Sequence, residues 1–164
     1  MLTGSIASSA HGMPRSTGDI DIVIASTQTQ LHKLIEQFPS SDYYADEQQA
    51  LEALASRSQF NIIDFSSGWK VDFIIAEDTQ YGRTALQRRG LVEIAGVPLY
   101  VASPEDVIIA KLRWAKLGAS ERQLEDAAGV FSAQAGTLDL EYIERWVQEL
   151  DLETQWQIVR GTAP

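Results

Sequence analysis

The segment Asp19-Ile20-Asp21-Ile22-Val23-Ile24 constrains this chain more than any other. Its β-branched residues favour a strand, and in a strand alternate side chains leave on opposite faces. Asp19 and Asp21 therefore point to one side, and Ile20, Ile22 and Ile24 to the other. Asp is depleted in strands and two carboxylates this close repel, so the pair needs either open water or a compensating cation. Magnesium, which prefers carboxylate and phosphate oxygens, is such a cation.

Asp72 repeats the pattern in Trp69–Ile75, with Val71 and Phe73 on the apolar face and Asp72 opposite. Any one of these acids suits the wet face of an amphipathic strand. Three of them in apolar strands point to a shared metal site. Gly4-Ser5 lies where a short strand, Leu2-Thr3, gives way to a helix. Backbone N–H groups and a hydroxyl at such a corner can cradle a phosphate, and alone the pair fits an ordinary helix cap equally well.

The remaining elements follow from local signals. A helix runs from Ser5 to about Ala10, followed by a Gly-, Pro- and Ser-rich loop to Gly18. Ser26 or Thr27 caps a helix to about Phe38, and Asp46 to Arg57 forms another. Phe60–Phe65 and Trp69–Ile75 form a hairpin around Ser66-Ser67-Gly68. A helix near Thr79–Arg88 precedes a second hairpin, Leu91–Ile94 and Val97–Val101, around Gly96. Ser103-Pro104-Glu105-Asp106 starts a helix to Leu117, with Ser as N-cap and Pro in the first turn. Helices from Ser120 to about Ala133 and from Asp139 to Leu150 follow, and Asp151 opens a last one. The expected class is α+β, a mixed sheet flanked by helices with a C-terminal helical cluster. Residues 1–164 read as one domain, with a sheet-containing core over 1–102 and a helical part over 103–164.

Composition narrows the chemistry. The 164 residues contain no cysteine, which removes disulfides, thiolate nucleophiles and zinc–thiolate sites. A net charge of −10 argues against a broad nucleic-acid surface. The local groups Arg83, Arg88, Arg89 and Lys111, Arg113, Lys116 read as solvated helix faces. No apolar run reaches the roughly 20 residues that span a bilayer, so no membrane role is expected and the chain reads as cytoplasmic. The tryptophans Trp69, Trp114, Trp146 and Trp156 lie on apolar stripes and read as core.

Gly4-Ser5, then Asp19-Ile20-Asp21 on one strand and Asp72 on a later one, resemble the signature of the nucleotidyltransferase superfamily related to DNA polymerase beta. Pro14-Arg15-Ser16-Thr17-Gly18 resembles the loop of its abortive-infection toxin branch, in which Arg-x-Thr commonly precedes the acids. Ser103-Pro104-Glu105-Asp106 followed by Lys111 resembles the helix carrying that family's lysine, and Glu121 to Asp126 its next motif. Relatives often carry a helix before the glycine strand, and some a large acceptor-gripping domain; neither is seen in this sequence.

The resemblance implies the nucleotidyltransferase fold, with Asp19, Asp21 and Asp72 catalytic and binding Mg2+ or Mn2+, and Gly4, Ser5, Arg15 and Lys111 binding a nucleoside triphosphate. A nucleoside monophosphate would pass to a hydroxyl of a protein, an RNA or a small molecule, in a toxin–antitoxin setting or another. Lys111 fits a triphosphate counter-charge or a surface lysine equally. Arg15 suits loop ordering through Asp19 or Asp21 as well as phosphate contact. Asp126 reads as a surface charge paired with Arg122, and His11 as an exposed loop residue. The alternatives are a nucleotide- or partner-binding protein of the same fold without turnover, and a metal-dependent phosphohydrolase, against which the Gly-Ser to Asp-x-Asp spacing argues.

Overall fold

The computed structural model describes residues 1–12, 14, 16–94 and 96–162. The first strand, β1 (Leu2–Thr3), turns directly into α1 (Gly4–His11) and the chain returns as β2 (Asp19–Ile24). Helix α2 (Gln28–Ile35) starts at a capping box, in which Thr27 accepts from the Gln30 N–H and Gln30 reaches back to the Thr27 N–H. After β3 (Tyr43–Ala45), Asp46 caps α3 (Glu47–Ser56). The hairpin β4 (Gln59–Asp64) and β5 (Lys70–Ile75) leads to α4 (Gln80–Gln87), then to the hairpin β6 (Gly90–Ile94) and β7 (Val97–Val101). The helices α5 (Pro104–Gly118), α6 (Glu121–Ala133), α7 (Leu140–Glu149) and α8 (Glu153–Thr162) follow.

Among the described residues the strands form one mixed sheet of seven, in the order β3-β4-β5-β2-β1-β7-β6. β2 runs parallel to β5, β1 is antiparallel to β2 and parallel to β7, and the rest pair antiparallel. The short β3 is an addition to the elements expected from sequence.

Two apolar cores hold the sheet. Phe60, Ile62, Phe73 and Ile75 pack with Leu31 of α2 and Ala50 and Ala53 of α3. Leu2, Ala7 and Val101 join Ile108, Ile109 and Leu112 of α5, Val130 of α6, Ile143 and Trp146 of α7, and Trp156 of α8. Ile20 and Ile22 reach the second of these cores and Ile22 and Ile24 the first, as the alternation in β2 requires. Among the described residues, no helix is long and apolar enough to cross a membrane.

Trp146 and Trp156 lie in the core as expected, at 2% and 4% exposure. The other two do not: Trp69 is 43% and Trp114 51% exposed. Trp69 follows the β4–β5 turn and Trp114 faces a cleft, positions that a stripe pattern does not distinguish from the core side.

Candidate functional site

Register places the acids. In the parallel pair β2 and β5, Asp21 lies opposite Asp72 and Asp19 opposite Lys70. Directly opposed residues share a sheet face, and neighbouring strands lie about 4.8 Å apart. One row across the sheet therefore reads Thr3, Asp21, Asp72, Asn61, and the next Asp19, Lys70, Ile63, Tyr44. Asp19, Asp21 and Asp72 are thus on one face of two adjacent strands.

Their surroundings differ. The Asp19 side chain is 54% exposed and that of Asp72 only 11%. Burial pushes the Asp21 carboxyl above its usual range, the negative charge of Asp72 adds to this, and Lys111 and the Ser5 backbone N–H oppose it. Lys70, which sequence reasoning passed over, puts its ammonium 2.8 Å from Asp72 Oδ2 and 3.6 Å from Asp19 Oδ1. Its bond to Asp72 raises the pKa of Lys70 against a smaller desolvation. The signal was available: Lys70 stands two residues before Asp72 and so shares its face.

Gly4 has a physical reason to be glycine. Its φ is +61°, in the left-handed region, and a Cβ there would fall 1.9 Å from Asp21 Oδ2. The β1–α1 corner therefore closes onto the carboxylate, and the Ser5 N–H bonds to Asp21. Arg15 lies outside the described residues.

Lys111 and Asp126 depart from a surface reading. Lys111 is 3% exposed and its Nζ donates to Asp126 Oδ2 at 2.7 Å, joining α5 to α6. Asp126 pairs here, across 15 residues, in place of the expected i,i+4 contact with Arg122. A buried ion pair of this kind needs close geometry to offset desolvation. Gln123, one turn before Asp126, lines the same cavity as Lys111, and its Oε1 is buried without a hydrogen-bond partner among the described residues. That cavity, about 120 Å³, is bounded by Gly4, Ser5, Asp21, Lys111 and Gln123. His11 belongs to the frame rather than the site: its Nε2 meets the Ala102 carbonyl at 2.8 Å.

The start of α5 is a buried polar knot. The Ser103 hydroxyl accepts from the Asp106 N–H and donates to Asp106 Oδ2 at 2.8 Å, while the Tyr142 hydroxyl donates to Asp106 Oδ1 at 2.7 Å. Arg88 donates to Glu105 Oε2 at 3.0 Å and lies 3.9 Å over the Tyr142 ring. Arg88, expected to solvate a helix face, is instead tied into this knot.

Among the described residues no three acids or histidines are gathered as a ready-made ion cage. The donor set still suits a hard cation in its chemistry. It is made only of oxygens, Asp21 is destabilised as an anion by burial and by Asp72, and one cation, the Lys70 ammonium, already lies against two of the three carboxylates.

No family model and no curated protein sequence matches the chain. Solved structures do. An antigenic nucleotidyltransferase-like protein from Paracoccidioides brasiliensis is 16% identical with a TM-score of 0.49, covering 96% of this chain and 83% of its own. The antibiotic-resistance factor ANT(2'')-Ia is 14% identical with a TM-score of 0.51, covering 98% of this chain and 84% of its own. Likeness at that identity is likeness of architecture: the chain is α+β, with a mixed sheet flanked by helices, and shares the fold of ANT(2'')-Ia.

Proposed function

We propose that the chain is a nucleotidyltransferase, moving a nucleoside monophosphate from a triphosphate to a hydroxyl of a protein, an RNA or a small molecule. The observation that carries this reading is the opposition of Asp21 and Asp72 on adjacent strands, beneath a glycine corner whose backbone N–H binds one of them. In nucleotidyl transfer the acceptor oxygen bonds to the α phosphorus, the bond from that phosphorus to the bridging oxygen breaks, and pyrophosphate leaves.

Each residue has a part. Asp19, Asp21 and Asp72 would hold magnesium or manganese, which when bound neutralises the triphosphate and activates the attacking hydroxyl. Asp72, the more enclosed carboxylate beside the Lys70 ammonium, faces the acceptor and takes its proton. Ser5 and Gly4 hold Asp21 in place and present the α1 corner to phosphate oxygens. Lys111, positioned by Asp126, faces the cavity as a point charge for the β and γ phosphates. The toxin-like branch rests on the loop at residues 14–18 alone.

Calorimetry with each triphosphate tests the site. Binding should need magnesium or manganese, vanish with chelator and vanish in the double variant Asp19→Asn with Asp21→Asn. Equal affinity in all of these would remove the acids from the site.

One observation favours a second reading. With Lys70 already paired to Asp72 and near Asp19, the acids can persist as a structural ion cluster in a nucleotide- or partner-binding protein without turnover. In that case Lys70→Met should destabilise the protein and no triphosphate should yield a transferred label.

A further inference from the structure

A larger cavity adjoins the carboxylate cleft. It measures about 380 Å³, within the range of small-molecule pockets, and shares Thr3, Ile74, Ala110 and Trp114 with the smaller cavity at Asp21 and Lys111. Its floor continues the acid-bearing sheet face, since Val23 and Ile74 follow Asp21 and Asp72 by two residues on β2 and β5. The acids thus give way to an apolar surface one step along the same strands.

Trp114 stands at the junction of the two spaces. It lines both and is 51% exposed, which leaves much of the indole uncovered by the protein. It follows Lys111 by three residues on α5, and residues at that spacing are neighbours on a helix surface. A ligand with phosphates at Lys111 can therefore extend past the indole, which lines both spaces, into the larger cavity.

The rest of the wall has a polar edge. Glu77 and Arg113 pair at 2.6 Å, both part-exposed, and offer a carboxylate acceptor and guanidinium donors beside the apolar floor. A planar ring with two apolar faces and a hydrogen-bonding rim matches these walls.

We propose that this cavity binds the nucleobase of the triphosphate, stacked on Trp114 with its edge toward the Glu77–Arg113 pair. This rests on the triphosphate-binding reading above and adds the base subsite to it. Aromatic stacking of a base is sequence-tolerant, so Trp114 supplies affinity for any base while the paired charges bias the choice among them.

Calorimetry on the parent, Trp114→Ala and Trp114→Phe should compare magnesium–ATP with magnesium–tripolyphosphate, which has the phosphates without the base. The parent should bind ATP more tightly than tripolyphosphate. Trp114→Ala should lose roughly tenfold in ATP affinity while keeping its tripolyphosphate affinity, and Trp114→Phe should recover most of the loss. If Trp114→Ala binds ATP as the parent does, or if the parent binds both ligands equally, the cavity is not the base subsite, although the phosphate site stands. If the parent binds neither ligand, the triphosphate reading itself fails and the base subsite falls with it. A loss of tripolyphosphate affinity equal to that for ATP would show that Trp114 supports Lys111 rather than a base, and would also overturn the proposal.

Discussion

Gly4 and Asp21 show how a single contact shapes the site. The corner at Gly4 is left-handed and touches the carboxylate so closely that any side chain must displace one or the other. Gly4→Ala should therefore cost about 2 kcal/mol or more, combining backbone strain with loss of the Asp21 contact, and a melting curve should move down by several degrees. Lys111 and Asp126 make a second, separable case. Removing one partner leaves a buried charge, so Asp126→Asn should destabilise by about 3 kcal/mol in denaturant titration. The double change Lys111→Met with Asp126→Leu should restore much of that stability yet leave triphosphate affinity lost, which divides structural from functional need. Neither the Lys111–Asp126 pair nor the Lys70 bridge was read from the sequence, for different reasons. Lys70 obeys the same alternation that revealed Asp72. The partners Lys111 and Asp126 lie on different helices, and only the packing of α5 on α6 brings them together.

Helix α5 links the apolar core to the site, since it carries Ile108 and Leu112 inward and presents Lys111 and Trp114 to the cleft. Its start was legible as Ser103-Pro104, because capping chemistry is local. That the first-turn acids are buried was not legible, since their partners Arg88 and Tyr142 come from elsewhere in the chain. Burial raises the Asp106 carboxyl above its ordinary value, and bonds from Tyr142, Ser103 and the Arg88 charge pull it back. A folded pKa above the unfolded one means that Asp106 contributes stability fully below the unfolded value of about 3.9, and that this is lost as pH rises through the folded value. Tyr142→Phe removes a donor that favours the anion and so raises the folded value further. The variant should lose about 1–3 kcal/mol at pH 7 and measurably less toward pH 4, when thermal unfolding of both proteins is followed across that range. A loss equal at all pH values would mean that the hydroxyl acts by packing alone. β3 is not legible because three residues at the sheet edge carry too short a pattern, and it is its pairing with β4 that makes it a strand.

Over the whole molecule, the sheet order gathers residues distant in sequence: the glycine corner of β1, the acids of β2 and the third acid of β5 occupy adjacent strands. Alternation in each strand told which face a residue takes, whereas the order β5-β2-β1-β7 mixes parallel and antiparallel neighbours and follows from no local signal. The resemblance carried by Gly4-Ser5 and Asp19-Ile20-Asp21 implied a mixed sheet flanked by helices and no strand order, which the pairing of the strands alone shows. What a fold cannot decide is the bond that breaks, and label position can. The protein should be incubated with each triphosphate labelled at the α phosphorus, and separately at the γ phosphorus, in extract of the cells that make it. Label from the α position, and none from the γ position, should appear on an acceptor, pyrophosphate should be released in step, and Asp72→Asn should abolish the transfer while triphosphate binding survives. Transfer of γ label, or no transfer of α label from any triphosphate, would contradict the nucleotidyltransferase reading.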